Sequence, residues 1–212
     1  MTRLLRFGFF ALFVRFLVLV VLGLSVRQRQ RLPATGPAIV CANHNSHLDT
    51  LVLMSLFPLA LLPRLRPVAA LDYFLRNRVL AWFALNIIGI IPLERKPRRG
   101  VDPLAGCVEA LERGDILILF PEGSRGAPES MAQFKSGIAH LAERVPEVPV
   151  VPVFMHGLGK ALPKGEAILV PFFCDVFVGE ALAWSGGRRA FMQELEEAVQ
   201  ALASQGRFPD WH

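Results

Sequence analysis

The chain has 212 residues, enough for one domain with a sizeable core, or for one domain and an appendage. Hydrophobic residues make up 53% of it and the formal net charge is +5, with a mean hydropathy of +0.42 and a sequence pI of about 9.6. Such charge suits a nucleic-acid binder, but the apolar excess does not, and the pairing fits a protein resting on an anionic membrane.

Residues 7–26 are almost wholly apolar, interrupted by Arg15 and flanked by Arg3 and Arg6 before and Arg27, Arg29 and Arg31 after. Their length would just span a bilayer. A central Arg, however, costs about 2.5–3.5 kcal/mol on insertion scales, and two basic flanks give no orientation. A monotopic helix lying in the interface, its arginines reaching the headgroups, explains both facts, with a single-pass span as the alternative. A signal peptide is disfavoured by the lack of a small-residue cleavage site. The basic connector at 27–36 ends in Pro33-Ala34-Thr35-Gly36-Pro37. This places a membrane-associated helix and connector over 1–32 and a globular domain over 33–212.

From there short apolar runs at 38–42, 66–70, 88–93, 115–120 and 148–155 alternate with helix-length stretches at 48–57, 72–87, 103–113 and 134–144. The alternation predicts βαβ units: an α/β fold whose mainly parallel sheet is flanked by helices. Runs at 167–170 and 174–178 read as closing strands. Residues 188–204 form an amphipathic terminal helix with Phe191, Leu195, Ala198, Val199 and Leu202 at helical spacing, and 208–212 reads as a frayed tail. The apolar segments 51–62 and 79–91 either line an acyl groove or are core helices. Cys41, Cys107 and Cys174 are odd in number and form no CxxC, so they read as reduced thiols in a cytosolic compartment, each a small core residue.

Three stretches carry candidate chemistry. Asn43-His44-Asn45-Ser46-His47-Leu48-Asp49 lies between an apolar run and a helix. Imidazole titrates near neutrality and a carboxylate can hold its tautomer, so His44 and Asp49 suggest a built base. Five residues apart on one helix they would lie about 140° apart. They meet only if His44 precedes the helix and Asp49 sits in its first turn. Two other readings stand beside this one: a Ser46-x-x-Asp49 capping box, and a metal site from His44, His47 and Asp49. Phe120-Pro121-Glu122-Gly123-Ser124-Arg125-Gly126 ends a buried strand, where open α/β sheets bind ligands, or else it is a surface turn. Gly89-Ile90-Ile91-Pro92-Leu93-Glu94-Arg95 offers the Arg95 guanidinium as a fork for phosphate, or a solvated basic loop. Lys135 and Arg144 read as helix-surface charges.

Together NHNSHLD at 43–49, GIIPLER at 89–95, FPEGSR at 120–125 and VPVVPV at 148–153 resemble the four ordered blocks of the glycerolipid acyltransferases, notably the bacterial 1-acylglycerol-3-phosphate acyltransferases. The resemblance covers about residues 33 to 160, and an anchoring helix ahead of them is usual in that family. It implies an O-acyltransferase that moves a fatty acyl group from acyl-CoA or acyl carrier protein, as co-substrate, to a lysophospholipid hydroxyl. No further cofactor, metal or nucleic acid is implied. By it His44 and Asp49 are catalytic, while Arg95, Glu122, Gly123, Ser124 and Arg125 bind the acceptor, with Glu122 orienting Arg125 or binding a hydroxyl. A backbone N–H near Asn45 or Ser46 is the candidate oxyanion donor. The expected location is the cytoplasmic face of the cell membrane, among its phospholipids. Two departures bear on the acceptor: Val68-Ala69-Ala70-Leu71-Asp72 lacks lysines common in the family, and Ser124 replaces a usual Thr. Another lysolipid acceptor is therefore the alternative within the family, ahead of a metal-dependent hydrolase or a non-catalytic phospholipid-binding protein.

Overall fold

The computed structural model describes residues 1–70, 77–94, 100–124, 131–161, 172–206 and 208. Arg95, Arg125 and the expected strand at 167–170 lie outside them. In chain order the elements are helix α1 (Thr2–Val21), β1 (Gly23–Arg27), β2 (Ala38–Ala42), α2 (Leu48–Ser55) and β3 (Leu65–Ala70). Then come α3 (Arg78–Ile88), β4 (Ile91–Leu93), α4 (Ala105–Glu112), β5 (Ile116–Leu119) and α5 (Gly137–Arg144). β6 (Val150–His156), the single turn α6 (Leu158–Ala161), β7 (Phe173–Val178) and α7 (Arg188–Ser204) complete the described residues.

Among those residues seven strands form one sheet in the order β1-β7-β6-β2-β5-β3-β4. Neighbours run parallel except β6 and β7. β2 lies between β5 and β6 with all five residues buried, which is why its sequence is continuously apolar rather than alternating. Successive side chains still point to opposite faces. Ala38, Val40 and Ala42 join a core with Phe10 and Val14 of α1 and Leu48 and Val52 of α2. Ile39 and Cys41 join a second core with Cys107 of α4, Ile138 of α5 and Phe191 of α7. Helices therefore cover both faces, as the alternation predicts. Cys41, Cys107 and Cys174 are buried thiols that take part in no disulfide.

The sheet also takes in residues ahead of the expected boundary at 32. The apolar run at 7–26 is not helical throughout: Leu22 turns extended, at φ −100 and ψ 123. Gly23 to Arg27 then pair in register with Phe173 to Phe177. Their backbone groups gain partners on the open edge of β7, which continued helix would not have supplied to that edge. Arg6, expected among headgroups, is buried instead. Its Nη2 donates to the carbonyls of Leu65 and Ile88, both at 3.0 Å. Gly89, left-handed at φ +76, permits this approach, since a Cβ there would lie 2.6 Å from Nη1. Burial lowers the Arg6 pKa to about 10, helped by the positive charge of Arg66.

The two apolar segments differ. Of 51–62, Val52, Leu53, Met54, Leu56, Phe57 and Leu62 are core. Of 79–91, Ala84 and Ile87 are buried while Val79, Leu80, Trp82 and Leu85 face outward.

Candidate active site

β2 and β5 are parallel and in register from Ala38↔Ile116 to Cys41↔Leu119. The segments that follow them, 43–47 and 120–124, therefore leave the sheet at the same edge, beyond the strand C-termini. Asn43 comes first and extends the ladder with its side chain. Its Nδ2 donates to the Met155 carbonyl at 2.8 Å and its Oδ1 accepts from the Met155 N–H at 2.7 Å, mimicking one more peptide beside β6. Asn43→Ala would orphan both Met155 groups. A loss of about 2 kcal/mol is expected, read as a lower urea midpoint with an unchanged slope. Sequence reading gave Asn43 no role, because Asn after a strand equally marks a turn.

His44 lies outside α2, and Asp49 is in its first turn. His44 Nδ1 stands 2.8 Å from Asp49 Oδ2. The same Oδ2 accepts from the N–H groups of Asn45, at 2.7 Å, and Ser46, at 2.8 Å. Asp49 thus ties down the helix entry and holds the imidazole at once, so the capping and base geometries coexist. Burial pushes the Asp49 carboxyl up, and the hydrogen bonds from His44, Ser46 and Asn45 pull against it. A carboxylate acceptor keeps the proton on Nδ1 and leaves the lone pair on Nε2. Phe120 stacks on the ring, centroids 4.2 Å apart and planes at 22°, which restricts its rotation. Phe120, too, was missed, because a Phe after a buried strand reads as core.

Glu122 is 3% exposed and bridges the two segments. Oε1 accepts from the His44 N–H at 2.8 Å and Oε2 from the Ala132 N–H at 3.0 Å. Burial pushes its carboxyl up, against the pull of those two N–H groups. The carboxylate expected to meet a substrate hydroxyl or Arg125 is therefore already engaged by the main chain. Gly123 is left-handed at φ +70, and a Cβ on it would lie 2.7 Å from Lys135 Nζ. Lys135 thus lies along this loop, ahead of α5, rather than standing on a helix face; Arg144 does sit on α5, paired with Asp102. Ser124 is exposed beside Gly123. His44, Asp49, Glu122, Gly123 and Ser124 are thus gathered at one edge of the sheet.

Two expectations are corrected by this geometry. The N–H groups of Asn45 and Ser46 are spent on Asp49, so they are not free to receive an oxyanion. The metal reading makes Asp49 a ligand, whereas its Oδ2 here accepts from the His44 ring and from two main-chain N–H groups. Among the described residues no group of three His, Cys, Asp or Glu side chains is disposed to hold a metal ion.

A family model described as Acyltransferase matches residues 23–156, more than half of the chain. The chain belongs to the acyltransferase family. The match opens at Gly23, the first residue of β1, so this edge strand falls within the acyltransferase region. A chloroplastic 1-acyl-sn-glycerol-3-phosphate acyltransferase of Brassica napus is 34% identical over 148 residues, 68% of this chain and 41% of that protein. The human 1-acyl-sn-glycerol-3-phosphate acyltransferase alpha is 32% identical over 162 residues, 73% of this chain and 53% of that protein. The Pseudomonas aeruginosa 1-acyl-sn-glycerol-3-phosphate acyltransferase is 28% identical over 198 residues, 91% and 73% of the respective chains. This chain thus spans about half the length of the first two relatives and more of the bacterial one. The crystal structure of the Thermotoga maritima 1-acyl-sn-glycerophosphate acyltransferase superposes with a TM-score of 0.76 at 21% identity, covering 98% of this chain and 81% of that one. The acyltransferase fold is shared across nearly the whole length.

Proposed function

We propose that the protein transfers a fatty acyl group from a thioester, acyl-CoA or acyl carrier protein, to the free hydroxyl of a lysophospholipid, with 1-acylglycerol-3-phosphate as acceptor and phosphatidate as product. The observation that carries the reading is the His44 and Asp49 pair, 2.8 Å apart at the strand ends with His44 outside the helix. Nε2 of His44 takes the hydroxyl proton as the acceptor oxygen attacks the thioester carbonyl. Asp49 holds the ring and stabilises its positive form. When the tetrahedral centre collapses, the C–S bond breaks, the new C–O bond stays, and the imidazolium returns its proton to the leaving thiolate. No acyl-enzyme is required, and the donor is a co-substrate.

Arg95 and Arg125 contribute to this reading through the resemblance alone, as guanidinium contacts to the acceptor phosphate. The names of the plant, human and bacterial relatives support lysophosphatidate as acceptor. We place the protein on the cytoplasmic face of the cell membrane, with α1 against the lipid. The decisive experiment incubates purified protein with labelled acyl-CoA or acyl carrier protein and a panel of lysolipids. Phosphatidate is the expected product; product from a different lysolipid alone would move the acceptor, and none from any would end the acyl-transfer reading.

A further inference from the structure

One cation at the strand ends has no part in the proposed chemistry. Lys135 lies just ahead of α5, on the segment that folds back over the loop following β5. Its N–H donates to the Pro121 carbonyl at 2.9 Å. The Ala132 N–H donates to Glu122 Oε2 at 3.0 Å, so the main chain of 131–135 is tied to both residues that precede Gly123. The Lys135 side chain is then laid across that glycine: a Cβ on Gly123 would lie 2.7 Å from Nζ and 3.2 Å from both Cδ and Cε. Gly123 directly follows Glu122, whose Oε1 accepts from the His44 N–H at 2.8 Å. The ammonium is thus placed on the loop that touches His44.

Neither packing nor an ion pair accounts for this pose. Lysine stems commonly cover apolar side chains, but a glycine offers none. Among the described residues no carboxylate pairs with the ammonium. The acids of the site, Asp49 and Glu122, are buried and bound by main-chain N–H groups. Lys135 is exposed, and so is Ser124, next in chain to Gly123. This loop therefore presents an ammonium and a hydroxyl to solvent while the carboxyl groups stay sequestered. A phosphate entering beside His44 approaches Asp49 and Glu122, and a fixed cation on the same loop offsets that repulsion. An ammonium is a compact charge with three donors, suited to phosphate oxygens. A phosphate monoester carries a charge of about −1.5 to −2 near neutrality, more than a diester, so one fixed cation favours the monoester.

We propose that Lys135 is a specificity-determining residue for the acceptor: its ammonium, seated against Gly123, binds the phosphate monoester of the lysolipid whose hydroxyl His44 deprotonates. The inference deepens the acyl-transfer reading and rests on it. The acyl donor also carries phosphate, in CoA or in the prosthetic group of acyl carrier protein, so the test separates the two sources.

The test uses the purified full chain, as wild type, Lys135→Met and Lys135→Arg. Initial rates are measured with acyl-CoA and water-soluble 1-hexanoylglycerol-3-phosphate, and binding of that lysolipid without any donor is measured by isothermal titration calorimetry. Lys135→Met is expected to raise the acceptor KM and weaken binding about 10- to 100-fold. Its kcat, its KM for acyl-CoA and its melting temperature should stay close to those of the wild type. Lys135→Arg keeps the charge and should recover most of the affinity. Hexanoyl lysophosphatidylcholine, a diester, should bind the wild type and Lys135→Met alike. A folded Lys135→Met protein that binds the monoester as the wild type does would overturn the proposal. So would a loss confined to the KM for acyl-CoA, since the phosphate read would then be the donor's. Equal losses in both variants together with earlier melting would also overturn it, reducing Lys135 to a support for the loop. In each of these cases phosphatidate formed by the wild type leaves the proposed function standing. Lys135-dependent binding with no acyl product from the wild type counts against the proposed function alone, and a wild type that does not bind the monoester overturns both.

Discussion

His44→Ala is expected to lower acyl transfer by about 10² to 10⁴, the range for removing a positioned general base, with little change in melting temperature. The imidazole makes its polar side-chain contact to Asp49, whose Oδ2 would keep the N–H groups of Asn45 and Ser46. Asp49→Asn should come second: an amide fills the same space but no longer stabilises the imidazolium, so the rate falls while the fold persists. Asp49→Ala differs in kind, because it also orphans two buried N–H groups at the entry of α2 and should melt earlier. The comparison is made from initial rates and thermal unfolding of the three variants side by side. A His44→Ala protein that retains the wild-type rate would remove His44 from the mechanism.

Glu122→Ala is expected to cost about 2–5 kcal/mol, since the buried N–H groups of His44 and Ala132 would both lose their acceptor. For a chain of this size that is a fall in Tm of roughly 5–15 °C. The rate should fall with it, because the main chain that carries the imidazole loses its anchor. If Glu122 instead bound the acceptor, KM would rise with Tm unchanged, so the two readings separate in one pair of measurements. Glu122→Gln retains one acceptor oxygen and should rescue part of both losses. Its acid titration offers an independent check. Burial holds the Glu122 carboxyl above its ordinary range in the folded protein, so the native state binds this proton more tightly than the unfolded chain does. Its own contribution to stability therefore grows as pH falls through the interval between folded and unfolded values, and is lost as pH rises through the folded value. Subtracting the pH profile of Glu122→Gln from that of the wild type should leave that slope.

Much of this was legible in the chain itself. Continuous apolar runs at 38–42 and 115–120 became buried parallel strands, as their lack of alternation required. For His44 and Asp49 to meet, their spacing demanded an imidazole outside the helix and a carboxylate in its first turn, and that is where they sit. These are local inferences, resting on periods of two or 3.6 residues and on contacts within one turn of chain.

The remainder depended on partners that no local period encodes. Glu122 reads as a ligand in isolation, and its bond from the His44 N–H exists only because β2 and β5 lie side by side in register, joining residues 78 apart. Asn43 reads as a turn until β6 brings Met155 to it across 112 residues. The apolar N-terminal run reads as one membrane-associated helix over its whole length. Its burial into the core, the change to strand at Gly23 and the capture of Arg6 by Leu65 and Ile88 were decided by the open edge of β7 and by carbonyls elsewhere in the fold. The local sequence determines which backbone conformations and which faces are favoured. Which distant donor meets which acceptor is set by strand order and register, where burial penalises every polar group left unpaired.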